Sequence, residues 1–274
     1  MQATRREEYR RFHNGLPFVL NRNIMRSRFL HSKENNWHRD PELQFCRGGE
    51  GTVLLDGIRY PFTQGTLMAV NANVIHYTDT ETALTYDCLI LSADFCREMG
   101  LDPLQVRFTP TLQSPRLVAL WQELVAVYDA EEAPCRIARL NLLALELLVE
   151  LAEHHRLPDF GQPAPQKSRE RVTAALLYLQ ERCAEEITLQ EVAQAVCCDK
   201  YLLCKEFRRL TGRTVFQTLH RYRCIRAAEF LEAGRTVAET AALCGFENLS
   251  YFTKTFKNTM GKLPSDYKKH PYEA

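Results

Sequence analysis

Lys200, Tyr201, Cys204, Lys205 and Arg208 fall at helical spacing on the side opposite Leu203 and Phe207. Forty-nine residues further on, Leu249, Ser250, Thr253, Lys254 and Lys257 fall on the side opposite Phe252 and Phe256. Cationic and hydroxyl side chains aligned on one helix face can neutralise phosphates and hydrogen-bond to base edges in a major groove about 12 Å wide. Arg209, Arg213, Arg221 and Arg223 stand nearby as further candidates for phosphate contacts. Any one of these residues is an ordinary solvated charge. Their duplication is what makes a DNA interface.

The elements that must carry them are duplicated too. Leu189, Val192, Ala193 and Val196 lie at i, i+3, i+4, i+7, and Val237, Thr240, Ala241 and Cys244 repeat the pattern 48 residues later. Each short helix leads through a turn into a second helix that ends at Gly212 or Gly261, with Asp199 and Asn248 placed to cap the second helices. The segment therefore reads as two helix-turn-helix motifs joined by a helix from about Val215 to Ala233.

The first half has a different period. Leu43-Gln-Phe, Thr52-Val-Leu-Leu and Ile58-Arg-Tyr-Pro-Phe read as short strands bounded by Gly48-Gly49, Asp56-Gly57 and Gln64-Gly65, and Thr66–Val70 and Thr85–Leu91 continue them. Such spacing predicts a sandwich or barrel. Helical periodicity starts at Ser114. One stripe comprises Leu117, Leu120, Trp121, Leu124 and Val127, and a wider one runs from Ile137 through Leu140, Leu143, Ala144, Leu147 and Leu148 to Leu151. The wider stripe suits either a barrel-covering helix or a dimer interface, and its width favours the dimer. Pro158, Gly161, Pro163 and Pro165 then mark a linker.

Composition restricts the function classes. The 274 residues are 45% hydrophobic and 25% charged, which excludes a disordered or collagen-like chain, and Leu142–Val149 is far too short to cross a bilayer. No signal peptide is expected, so the location is expected to be cytoplasmic with no membrane partner. The ten cysteines form no disulfide framework and no C-x-x-C pair, and read as reduced, mostly buried groups. The net charge of +1 hides an asymmetry. From Lys167 onward there are 18 Lys and Arg against 13 Asp and Glu, net +5, while the preceding part carries net −4. A polyanion partner for the C-terminal part follows.

The run from Ile187-Thr-Leu-Gln-Glu-Val-Ala through Phe207 and Gly212, then Arg226-Ala-Ala-Glu-Phe-Leu, then Ala242-Leu-Cys-Gly-Phe-Glu-Asn-Leu-Ser-Tyr-Phe-Thr-Lys-Thr-Phe-Lys with Gly261 and Pro264, closely resembles the DNA-binding domain of AraC/XylS-type transcription regulators over about Lys167–His270. It departs where Cys197 replaces a usual turn glycine, Thr240 a core isoleucine, and Val215 a frequent proline. The resemblance implies two recognition helices in successive major grooves on one face of a duplex.

Asn36-Trp-His38-Arg-Asp-Pro-Glu42 with Gly49, and Gly65 with Asn71-Ala-Asn-Val-Ile-His76, resemble the two motifs of a cupin barrel, a sensory domain that many such regulators carry. The resemblance puts His38, Glu42 and His76 at three of four cupin ligand positions, with Asn36 replacing the first histidine of H-x-H. Asparagine keeps hydrogen-bonding capacity but ligates transition metals poorly. The trio is thus expected to bind an effector, with no metal and no cofactor. A hydroxylated or charged metabolite suits it, with apolar parts against Phe45, Leu54 or Tyr60. A metal-dependent cupin enzyme and a ligand-independent dimeric regulator are the competing readings.

The expected chain is an α+β protein. A cupin-like β-barrel (jelly roll) sensing domain occupies 1–112, a helical dimerisation segment 113–156, a linker 157–167 and an all-α double helix-turn-helix domain 168–274. Its expected activity is effector-controlled, sequence-specific binding of double-stranded DNA by a homodimer with no enzymatic function. RNA polymerase is a further partner if it activates.

Overall fold

The computed structural model of the chain describes residues 15–27, 36–158 and 166–269. The N-terminal Met1–Arg11, linker residues 159–165 and His270 lie outside the described residues. Contacts divide the chain into two units, one built mainly from residues up to Gln162 and the other mainly from Pro163 onward.

The first unit contains β1 (Phe18–Ser27), β2 (Glu42–Leu55), β3 (Ile58–Thr63), β4 (Leu67–Val70), β5 (His76–Asp79), β6 (Ala83–Leu91) and β7 (Thr111–Leu112), then α1 (Ala93–Glu98), α2 (Pro115–Asp129) and α3 (Arg136–His154). β2 organises it. Its first half lies between β4 and β6, with Glu42 opposite both Val70 and Ile90, and its second half pairs antiparallel with β5, Leu55 opposite His76. Gly48-Gly49, expected to end a strand, instead bends this one long strand. The register against β6 shifts between Cys46 and Gly48, and Gly49 has φ +83° with the Ala83 carbonyl oxygen 2.0 Å from where a Cβ would stand. Asp56-Gly57 does form the expected tight turn, both residues at positive φ.

Alternation along these strands separates two cores. Leu43, Leu67, Ala69, Leu89 and Leu91 pack with Leu117, Leu120, Trp121, Leu124, Leu140 and Leu147 of α2 and α3, whereas Cys46, Met68, Val70, Cys88 and Ile90 form the other cluster with Val53, Phe62 and Tyr86. Phe45 goes with the first set, its ring 5.8 Å from Trp121, so it does not wall the barrel interior as expected. The wide stripe of α3 also proves to be core, with Leu140 and Leu147 both fully buried within the chain. A dimer face cannot be made from them. The large apolar residues that α3 leaves at the surface are Leu142, Val149 and, at its first turn, Ile137, the one member of the stripe that is not core.

The second unit consists of α4 (Gln166–Glu181), α5 (Leu189–Ala195), α6 (Lys200–Thr211), α7 (Val215–Glu232), α8 (Val237–Leu243), α9 (Leu249–Met260) and α10 (Pro264–Lys269). α5–α6 and α8–α9 are the two helix-turn-helix motifs, joined by α7. Both open with a capping box, Thr188 with Glu191 and Thr236 with Glu239. Both recognition helices close on a left-handed glycine, Gly212 and Gly261. The intervening turns demand positive φ as well. Gly245 meets the demand in the second motif, but Cys197, at φ 52°, stands in the first.

Candidate functional site

The recognition helices are held by their N-caps and by their buried faces. Asp199 Oδ1 accepts from the Tyr201 and Leu202 amides at 2.9 Å, and Asn248 Oδ1 from the Tyr251 amide at 2.9 Å. Leu203 and Phe207, and Phe252 and Phe256, are fully buried. That leaves Lys200, Tyr201, Cys204, Lys205 and Arg208 exposed on α6, and Leu249, Ser250, Lys254 and Lys257 exposed on α9. Tyr201 is 77% exposed, with Lys200 Nζ 5.4 Å from its ring centre. Thr253 is half-buried and donates its hydroxyl to the Leu249 carbonyl, so it offers a neighbouring group mainly its methyl.

One further residue bears on this face, and one expected phosphate contact does not. Tyr251 is exposed beside Ser250, its hydroxyl 3.3 Å from His220 Nδ1, and helical spacing from Phe252 could have placed it there. Arg223, considered a phosphate contact, is instead buried and donates to the Cys183 and Glu185 carbonyls at 2.7 Å each. Behind α6, Glu206 accepts a forked pair of bonds from Arg171 at 2.7 and 2.9 Å and one from Ser168 at 2.6 Å. Those bonds, Arg171's first, outweigh burial and hold its carboxyl below the ordinary range.

In the first unit His38, Glu42 and His76 converge, with their ligating atoms all within 4.8 Å of one another. The loop before β2 supplies His38, the first residue of β2 is Glu42, and β5 opens with His76. His38 Nε2 lies 3.1 Å and His76 Nε2 3.3 Å from the same oxygen, Glu42 Oε2. Each ring's other nitrogen meets a backbone carbonyl, His38 Nδ1 that of Asp40 at 2.6 Å and His76 Nδ1 that of Val74 at 2.9 Å. A carbonyl only accepts, so both Nδ1 atoms carry a hydrogen. Glu42 Oε1 accepts from Gln44 at 2.6 Å, and Gln44 accepts from the Thr78 hydroxyl at 2.8 Å. Gln44 and Thr78 escape sequence reading, although the i, i+2 relation of Gln44 to Glu42 on β2 puts the two on one face.

Burial alone would pull the His38 imidazolium down and push the Glu42 carboxyl up, but attraction reverses both. Glu42 and the Asp40 carbonyl raise His38, and the two histidines hold Glu42 well below the usual carboxylate range. Asn36 contributes differently from what its position suggests. Its backbone exchanges two hydrogen bonds with His76, at 2.8 and 2.9 Å, while the residue itself is exposed.

A family model described as an AraC-like ligand binding domain matches residues 29–148, and one for a helix-turn-helix domain matches residues 192–270. The chain belongs to the AraC family of transcriptional regulators. Among curated relatives, the HTH-type transcriptional activator RhaR of Pectobacterium carotovorum subsp. carotovorum is 27% identical over 248 residues, 84% of each chain. RhaS of Salmonella schwarzengrund, also an HTH-type transcriptional activator, is 25% identical over 84% of this chain and 85% of its own. Among solved structures, ToxT from Vibrio cholerae O395 aligns over 94% of this chain and 99% of its own at 14% identity and a TM-score of 0.45.

The AraC-family assignment fits the two units, a ligand-binding β domain and a helical DNA-binding domain, and this protein is a sequence-specific DNA-binding transcriptional regulator with an effector domain. No helix among the described residues is long and apolar enough to cross a membrane.

Proposed function

We propose that this regulator binds duplex DNA through the exposed faces of α6 and α9, and that a small molecule held around His38, Glu42 and His76 controls it. The observation that carries the DNA reading is the duplication itself. Two capped helices of equal length present matched cationic positions, Lys205 with Lys254 and Arg208 with Lys257. Tyr201, Leu249, Ser250 and the Thr253 methyl suit apolar and shape contacts, so sequence is read partly through DNA form. The activator names of RhaR and RhaS support activation, with RNA polymerase as the partner an activator must reach.

The effector reading rests on the convergence of the buried Glu42 and His76 with the half-buried His38 at one end of a barrel core, with Met68, Val70 and Ile90 as neighbouring apolar surface in place of Phe45. The domain works as a sensor and turns over no substrate. Limits of 1–112, 113–156, 157–167 and 168–274 divide sensing, dimerisation, linkage and DNA binding.

The dimer uses the outer face of α3. Ala138, Leu142, Leu145, Val149 and Ala152 recur at alternating steps of four and three, the seam of a coiled coil. In an antiparallel pair Arg139 near one end would meet Glu153 near the other end of the partner helix, which supports a second copy as the occupant.

Fluorescence anisotropy of the full chain on duplex fragments from beside its own gene tests the reading, with metabolite mixtures added in turn. Salt-dependent binding that one metabolite shifts is expected. Binding to none of these fragments would count against it.

A further inference from the structure

We infer that the DNA-binding unit carries a small-molecule site of its own, a cavity beside the start of α9 that takes a flat organic cation. The inference is independent of the effector reading, which concerns the first unit.

The cavity measures about 550 Å³, within the size range of small-molecule sites, and lies between α7, the turn of the second motif and the segment that leads into α5. On α7, Phe216, Leu219, His220 and Arg223 line it at i, i+3, i+4, i+7. Packing against another helix would cover such a stripe, but Phe216 stays 40% exposed. Phe246 from the turn and Tyr251 from α9 complete an aromatic wall. His220 stacks on Phe246 with 6.1 Å between ring centres and meets Tyr251 edge-on at 5.4 Å. The imidazole joins that wall as a neutral ring, because burial, and then the Arg223 charge, pull its pKa below the ordinary value.

Planar molecules stack on aromatic faces, and cations are attracted to them. The charge of the lining selects the cation. Glu186 and Glu247 are exposed at the cavity and form no hydrogen bond or ion pair among the described residues. Against these two carboxylates stands one guanidinium, Arg223, so with His220 neutral the lining carries net −1 inside a unit of net +5. Arg223 is a poor anchor for an anion. Its guanidinium already donates to the Cys183 and Glu185 carbonyls and lies 5.6 Å from the Phe246 ring centre, and Glu247 offsets its charge. An occupant also touches the reading helix, since Asn248 and Tyr251 line the cavity and are the N-cap and third residue of α9.

The test titrates the full chain, free of DNA, with N-methylquinolinium, using calorimetry and ligand-observed NMR. Neutral 2-hydroxymethylnaphthalene and anionic 2-naphthoate, of similar shape, are titrated alongside. Expected is one cation per chain, bound at least about tenfold more tightly than the anion. Glu186→Gln/Glu247→Gln should weaken the cation about tenfold and leave the neutral compound within about twofold, because only charge is removed. Phe216→Ala should weaken cation and neutral compound alike, by at least about threefold, because it removes a wall that both use.

Glu42→Gln, in the first unit, guards against capture of the probe there and should bind the cation as wild type does. Near-ultraviolet circular dichroism checks that each variant is folded. No binding of the cation by wild type, or 2-naphthoate bound as tightly as the cation, would overturn the inference. So would cation binding that is unchanged in the folded double glutamine variant or in folded Phe216→Ala, or that is lost in folded Glu42→Gln.

Discussion

Two residues of the DNA-binding unit stand at odds with their own surroundings, and both give direct tests. Cys197 occupies the turn at φ 52°, a conformation that costs a side-chain-bearing residue about 1–2 kcal/mol. Cys197→Gly relieves the strain but adds unfolded-state entropy, so a net gain of about 0.5–1 kcal/mol is expected in urea unfolding. A loss would show that the thiol makes a stabilising contact. Thr240 is fully buried and its hydroxyl has no hydrogen-bond partner among the described residues. Thr240→Val removes an unsatisfied group at nearly constant volume and should stabilise by about 1 kcal/mol, whereas destabilisation in the same assay would reveal a partner for that hydroxyl.

Glu206 predicts a pH dependence. Its carboxyl titrates below the ordinary range in the folded chain, so its stabilising effect is full above the unfolded value and fades as pH falls through the folded one. The stability difference between wild type and Glu206→Gln should be about 1–3 kcal/mol at pH 7 and shrink below about pH 4. A pH-independent difference would mean the effect is steric.

At the scale of elements, the helix-turn-helix motifs were legible from sequence because their signals are local: Asp199 and Asn248 at the caps, Gly212 and Gly261 at the stops, and apolar spacing between them. The barrel was less so. β5, His76–Asp79, is four residues with no alternation, and the Gly48-Gly49 bend looks like a turn until its pairing with β6 is seen. The trio could be named through its resemblance to the cupin motifs, but Gln44 lies opposite Met68 and Cys88 in the first half of β2 while Thr78 pairs with Val53 in its second half, so the two meet only once the bent sheet has closed, which no local pattern encodes. The α3 stripe misled for a related reason, since width alone does not say whether sheet or solvent lies opposite.

On the faces of α6 and α9, Lys205→Ala and Lys254→Ala should each weaken DNA binding by about 1–3 kcal/mol if the lysine reads a base, or flatten the salt slope by about one if it touches phosphate. Unchanged binding in both, measured by anisotropy over a salt series, would mean that other faces enter the grooves.

For the whole molecule, the proposed dimer would link oligomeric state to DNA recognition by symmetry, since two copies would address two sites at once. Leu142→Glu with Val149→Glu should give a folded monomer by sedimentation, with weakened affinity for paired sites. Leu140→Glu with Leu147→Glu should instead unfold the first unit, since both leucines are wholly inside it. A dimer that survives the first pair of changes would place the interface elsewhere.

The most direct test of the central claim is selection of bound duplexes from a random DNA pool by the full chain, followed by sequencing. Two recognition helices in successive major grooves predict an enriched motif with two elements about 10–10.5 base pairs apart, lost in the Lys205→Ala/Lys254→Ala double variant. A pool that stays random after repeated rounds, or a motif unchanged in that variant, would contradict the account.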